Sequence, residues 1–241
     1  MRPSSRPPVA LLAVLLIAVF AVLFADTLAV SASADPIATS AGAVLTPISP
    51  ASISRPYTHG SFRVSSRLLD GSGAPIPDAR VDILEQVVGT NEMQIVGSTV
   101  TRADGSLTAT VPAGPSRLID FAYRASESDG YAAQTEVREN VSAGLRLRVT
   151  PQHTTPTGTV QLEGQVLGDI PRSGIVVEVL VYYLGQWLPI RTPRTRADGR
   201  LRVSYRFDNA TGQFPFRLRV RYGQTGFPYG EACSSWVEAT A

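Results

Sequence analysis

The 241-residue chain has no lysine; all 22 of its basic residues are arginine, a composition that GC-rich bacterial coding produces alongside 20 glycines and 18 prolines. Without lysine there is no phosphate loop of the G-x-x-x-x-G-K type, no Schiff base and no amine nucleophile. Cysteine occurs once, at Cys233, which excludes an intrachain disulfide and a multi-cysteine metal site; the residue is expected buried or half-buried in the last strand. The two histidines, His59 and His153, fall in proline-bearing stretches read as exposed linker, and neither has a partner at metal-ligand spacing. No G-x-S-x-G elbow is present either, so histidine-dependent hydrolysis lacks both its nucleophile turn and its base. A formal net charge of +2 is too small for a global field that gathers nucleic acid. The expectation is a protein with no cofactor, no metal, no catalytic residue and no nucleic-acid partner.

What is present begins with an export signal. Arg2 and Arg6 precede an uninterrupted apolar run, Val9 to Ala25, and Ala32-Ser33-Ala34 follows as a small-residue cleavage site. The run is longer than most signal cores and just short of a comfortable membrane span. Residues 1–34 are therefore a signal peptide cleaved after Ala34 or a retained anchor that spans the cytoplasmic membrane with residues 9–25. In either case the rest of the chain is delivered outside, to the extracellular space or cell surface. Residues 35–58, rich in Ala, Ser, Thr and Pro and almost uncharged, read as a disordered linker.

The remainder is a duplication. Thr101-Arg102-Ala103-Asp104-Gly105 returns 94 positions later as Thr195-Arg196-Ala197-Asp198-Gly199. Each copy is flanked by runs of alternating apolar residues, a pattern read here as two strands joined by a tight Asp-Gly hairpin. Around these turns, about seven short strands per copy and no amphipathic helix predict an all-β chain of two tandem antiparallel β-sandwiches. Residues 59–150 form the first, 151–157 (TPQHTTPT with its neighbours) a polar linker, and 158–241 the second, each expected to fold alone.

The stretches GAPIPDARVDIL and VGSTVTRADGSLTATVPAG resemble carboxypeptidase regulatory-like modules, the transthyretin-like and CnaB-type sandwiches of bacterial surface proteins. GQWLPIRTPRTRADGRLRVSYRF is similar to bacterial Ig-like repeats. The resemblance implies a stalk, spacer or adhesive module. CnaB-type stalks carry a Lys-Asn cross-link, which a chain without lysine cannot form.

Acidic residues offer little chemistry. Asp70, Asp104, Asp129, Asp169 and Asp198 lie in turns near glycine, where Asp bonds its own backbone, and Glu127-Ser128-Asp129-Gly130 reads as a solvated loop before it reads as a calcium site. The candidate ligand contacts are in the second copy. Arg200, Arg202 and Arg206 alternate with apolar residues, as do Arg217, Arg219 and Arg221, so each set points to one face; if both strands share a sheet, six guanidinium groups share a surface suited to phosphate or carboxylate. Tyr182, Tyr183, Trp187, Phe227, Tyr229 and Trp236 either fill the core or form a sugar-binding patch. The best reading is a non-enzymatic, exported or surface-tethered structural or interaction protein whose partner is another protein or a cell-envelope polymer; the alternative is a binding module for a cell-wall glycan or anionic surface polymer. Protease shaving of intact cells is expected to remove residues beyond Asp35. Their protection until the membrane is opened would contradict export.

Overall fold

Four sheets, two for each copy, carry residues 42–241, the part of the chain that the computed structural model describes, His59 excepted. The first copy holds β1 (Val44–Pro47), β2 (Ser52–Arg55), β3 (Phe62–Leu69), β4 (Arg80–Val87), β5 (Gln94–Val100), β6 (Ser106–Val111), β7 (Arg117–Tyr123) and β8 (Ala133–Val141). The second holds β9 (Gly144–Thr150), β10 (Thr159–Leu167), β11 (Glu178–Tyr183), β12 (Gln186–Arg191), β13 (Arg200–Arg206), β14 (Gln213–Val220), β15 (Ala232–Cys233) and β16 (Val237–Thr240). The expected signal or anchor, residues 1–34, lies outside the described residues, as does His59.

Period-two alternation builds both cores. In β3, Phe62, Val64 and Leu68 are buried while Arg63 and Arg67 face water, and in β14 Phe214, Phe216, Leu218 and Val220 point inward between Arg217 and Arg219. The sheet β1-β3-β6 packs its apolar face on β2-β8-β7-β4-β5. In the second copy β13-β10-β9 packs on β12-β11-β14, with β15 and β16 both on the free edge of β14.

Several expectations need correction. Part of the stretch read as linker, residues 35–58, is strand: β1 runs antiparallel to β3, and β2 runs parallel to β8. The pairing is made by backbone groups and needs few apolar side chains, Leu45 being the one buried residue of β1. Each copy has eight strands rather than seven, and the first sandwich is not wholly antiparallel. Strand β9, assigned to the first copy, pairs with β10 and belongs to the second. The proline-bearing stretch 151–157 is therefore a connection within the second copy, where His153 makes a parallel bridge to Thr240. Cys233 is exposed, because the register of β15 sets it opposite Arg219 on the outward face.

The repeated Asp-Gly turn is not a hairpin either. β5 pairs only with β4 and β6 only with β3, so the turn carries the chain from one sheet to the other. Its residues are clamped to both. Thr101 Oγ1 accepts from Ala79 N at 2.9 Å and donates to Ile76 O at 2.7 Å, and Thr195 Oγ1 accepts from Ile175 N at 3.0 Å. Asp104 and Asp198 each accept the backbone N–H two residues on, at 2.9 and 3.0 Å. Gly105 and Gly199 have φ of 73° and 77°, and their carbonyls accept from Leu68 N and Val166 N, both at 2.9 Å. A Cβ at Gly199 would sit 2.2 Å from Val166 O.

The copies are joined without a spacer. Only Ser142 and Ala143 separate β8 from β9. There Gly230 N donates to Val141 O at 2.7 Å, Ala143 N donates to Gly230 O at 3.1 Å, and Ser116 N donates to Pro228 O at 2.9 Å. Val141 and Ala143 belong to the same apolar cluster as Phe227 and Tyr229, and the Tyr57 and Tyr229 rings lie 5.7 Å apart. Beside Ser116, Arg117 is buried with its Nε on Glu139 at 2.8 Å, a second nitrogen on Glu85 at 3.1 Å and a third on Pro112 O. Removing one member of such a group strands the others, at a cost of about 3–5 kcal/mol.

Gly199→Ala is expected to cost about 3 kcal/mol in urea unfolding, because positive φ and a backbone clash add. Gly185→Ala, at φ 83° but in open space, is expected to cost only about 1 kcal/mol. Equal losses would mean that the sheet-crossing turn is not tightly clamped.

Candidate functional site

Two outward surfaces of the second copy gather the sequence-predicted residues, and the sheets keep them apart. β13 and β14 belong to different sheets, so Arg200, Arg202 and Arg206 do not share a face with Arg217, Arg219 and Arg221. The six-arginine surface expected from the sequence does not form.

The first surface is the outward side of β11, β12 and β14. Tyr182 pairs with Trp187 across β11 and β12, and Leu180 pairs with Arg217 and Pro189 on its two sides. The Tyr182 and Trp187 rings lie 5.3 Å apart, tilted by 54°. The Arg217 guanidinium stands 4.0 Å from the Trp187 ring centroid, a cation–π contact, and its Nε is buried without a hydrogen-bond partner. Further along, Glu178 accepts from Arg219 at 2.5 Å and from Arg221 at 2.7 Å. Burial pushes the Glu178 carboxyl up, and the bonds from Arg221 and Arg219 outweigh it, leaving the group below its ordinary value of 4.5. Arg219 and Arg221 are thus held by an acid, and Arg217 by a ring.

The hairpin that ends this surface is the tightest in the second copy. Leu184 and Gly185 both have positive φ, 49° and 83°, the requirement of a two-residue type I′ turn. Sequence reasoning missed it, since Leu-Gly is not an Asn-Gly or Asp-Gly signal. A leucine in the left-handed region costs about 1–2 kcal/mol. Leu184 is nonetheless there and 81% exposed, beside the exposed rings of Tyr182 and Tyr183. Core filling fails as an account of Tyr182, Tyr183 and of Trp236, which is 59% exposed; it holds for Phe227 and Tyr229, which are buried at the junction.

The second surface is the outward side of β13-β10-β9. Here Arg200 and Arg202 are joined by Arg146 and Arg148 of β9, which sequence reasoning left in the first copy, and Arg202 pairs with Glu163 at 2.5 Å. Arg206 lies farther along β13, opposite Thr159.

The first copy differs. Asp82 forms an ion pair with Arg124 at 3.0 Å and accepts from the Tyr131 hydroxyl at 3.1 Å. Asp120, opposite Glu136 across β7 and β8, is pushed up to about 6 by burial, against an opposing backbone hydrogen bond from Thr135 and with a smaller push from the Glu136 charge. The loop 127–130 has its Glu127 carboxylate 3.6 Å from Arg80. Among the described residues no group of three His, Cys, Asp or Glu side chains is placed to hold a metal ion.

The strand order defines the class. β1, β3 and β6 stand as strands A, B and E of an immunoglobulin-type sandwich, and β8, β7, β4 and β5 as G, F, C and C′; in the second copy β9, β10 and β13 stand as A, B and E, and β15 with β16, β14, β11 and β12 as G, F, C and C′. The chain is an all-β protein of tandem immunoglobulin-like sandwiches. No family model and no curated protein matches it. Among solved structures, the D0-D1 domain of intimin aligns with 82% of this chain and 97% of that one, at 15% identity and a TM-score of 0.31. The Yersinia pseudotuberculosis adhesin InvE aligns with 84% of this chain at 15% identity and a TM-score of 0.38. A tetra-tandem repeat from the extending region of a large adhesion protein aligns with 83%, at 12% identity and a TM-score of 0.42. The alignments span 59% and 48% of the last two structures.

Because its folded-state value is lowered, Glu178 contributes stability that is full above about pH 4.5 and is lost as pH falls through the lowered value. Glu178→Gln is expected to flatten that acid loss in urea midpoints taken between about pH 6 and about pH 3. A parent and variant with the same pH dependence would contradict the paired arrangement.

Proposed function

We propose that the chain is an exported, non-enzymatic surface module of spacer or adhesion type, which presents the β11–β12 hairpin of its second sandwich to a protein partner. The carrying observation is Leu184, an apolar residue kept at 81% exposure and positive φ beside the exposed Tyr182 and Tyr183. Conformation and solvation both disfavour leucine there, and such strain is characteristic of binding sites. The fold does not demand it. In the first copy the same connection, between β4 and β5, is the longer and more polar Val88-Gly89-Thr90-Asn91-Glu92-Met93. The exposed Tyr182 and Tyr183, with Trp187 and Arg217 beside them, are the residue types enriched in interface hot spots. Export by the segment ahead of Asp35, retention of that segment as an anchor, and descent of the first copy from carboxypeptidase regulatory-like or CnaB-type modules are parts of the same proposal.

A glycan reading of this patch has less support. The Tyr182 and Trp187 rings are tilted against each other rather than coplanar, and Arg217 already covers one face of Trp187. Leu184→Asn separates anchor from scaffold. It is expected to raise the melting temperature by about 2–4 °C as strain is relieved, and to weaken saturable binding of the protein to cell surfaces about tenfold or more. A stabilised variant that binds as the parent does would show that the hairpin is not the contact.

A further inference from the structure

A second site lies on the opposite sheet. The outward side of β9, β10 and β13 forms an open basin of about 470 Å³ whose lining includes Arg146, Arg148, Arg196, Arg200 and Arg202. The register orders four of these. Arg148, Glu163 and Arg202 stand in one row across the three strands, and Arg146, Gln165 and Arg200 in the next. The corners are therefore about 9.5 Å apart across β10 and about 6.7 Å apart along each outer strand, from ordinary strand spacings. All four are exposed, Arg200 and Arg202 at 70% of their side chains, and among the described residues Arg146 and Arg148 have no carboxylate in ion-pair range.

The first copy supplies an internal control. There the corresponding rows are Thr46, Arg67 and Ser106, and then Ser65 and Thr108 with Ile48 N donating to Ser65 O. All four corners are uncharged in the first sandwich and all four are arginine in the second. A sandwich sheet of this topology does not require them, and solubility does not require them in register.

We infer that this basin binds a linear phosphodiester polymer, one whose phosphates are separated by six backbone bonds as in a chain of three-carbon polyol phosphates. Such a repeat extends about 7 Å, twice the roughly 3.5 Å that three bonds give an extended polypeptide. It matches the spacing of Arg146 with Arg148 and of Arg200 with Arg202, so successive phosphates of one strand meet successive guanidinium groups, each able to bond two oxygens. A single-stranded nucleic acid has a similar repeat, but its affinity draws on bases stacked on aromatic rings, and no ring is among the residues that line the basin. Glu163 sits between the two outer strands and opposes the ligand. The inference rests on the surface-module reading only for where the polymer is met. Protease shaving decides that reading, and binding in solution decides this one.

The test is titration of the full chain with an oligo(glycerol phosphate) of defined length at several salt concentrations. Binding that weakens with salt is expected, falling about tenfold or more in Arg146→Gln/Arg148→Gln and again in Arg200→Gln/Arg202→Gln. Glu163→Gln, which leaves every arginine in place, is expected to tighten it severalfold. Equal binding by parent and the fourfold arginine variant would overturn the site, as would no change in Glu163→Gln. A single-stranded oligonucleotide or polygalacturonate of equal charge binding as tightly would overturn the assigned ligand.

Discussion

Ser142 and Ala143 are all that lies between the last strand of one sandwich and the first strand of the next, and the arrangement of the whole pair depends on that brevity. A two-residue link cannot act as a hinge when its neighbours are bonded across it. Val141 and Ala143 both exchange backbone hydrogen bonds with Gly230, Ser116 holds Pro228, and the same residues are buried with Phe227 and Tyr229. Even Gly144 has no room to be anything larger, since a Cβ there would meet the Tyr57 ring at 2.6 Å. Long flexible linkers make domain motion the default, and here that default does not hold.

What could be read from the sequence is what local chemistry demands. The duplication was visible because Thr, Asp and Gly in the repeated turn each answer a fixed requirement: a hydroxyl that ties the turn to the backbone leading into β4 or β11, a carboxylate that caps the turn, and a backbone at positive φ. The strands themselves followed from alternation, as in Phe62-Arg63-Val64 and Phe216-Arg217-Leu218. Pairing was not legible. Leu145, Leu147 and Val149 announce a strand, yet nothing local says that it joins β10 and not the sandwich before it. For the same reason the Asp-Gly turn looked like a hairpin, and Pro151 looked like a boundary between domains.

The candidate sites show the same division. That Arg217, Arg219 and Arg221 share a face was legible from period two, and that Glu178 and Trp187 occupy that face with them was not. Arg146 and Arg148 could not be associated with Arg200 and Arg202 until the partner of β9 was known. Leu184 carried no turn signal at all, because the I′ geometry is imposed by the pairing of β11 with β12 against the preference of the residue.

Both surfaces proposed for binding are on the second sandwich, while the first has four uncharged corners, Thr46, Ile48, Ser106 and Thr108, where the second has arginine, and a longer connection where the second has Leu184-Gly185. Under these two proposals one copy is a support and the other a reader, and the direct junction sets the direction in which the reader is held. The measurement that bears most directly on this is backbone ¹⁵N relaxation across both sandwiches. One rotational diffusion tensor is predicted to fit the ordered amides of β3 and β7 together with those of β10 and β14. Two tensors with independent correlation times would contradict a rigid pair, and with it the division of the chain into support and reader.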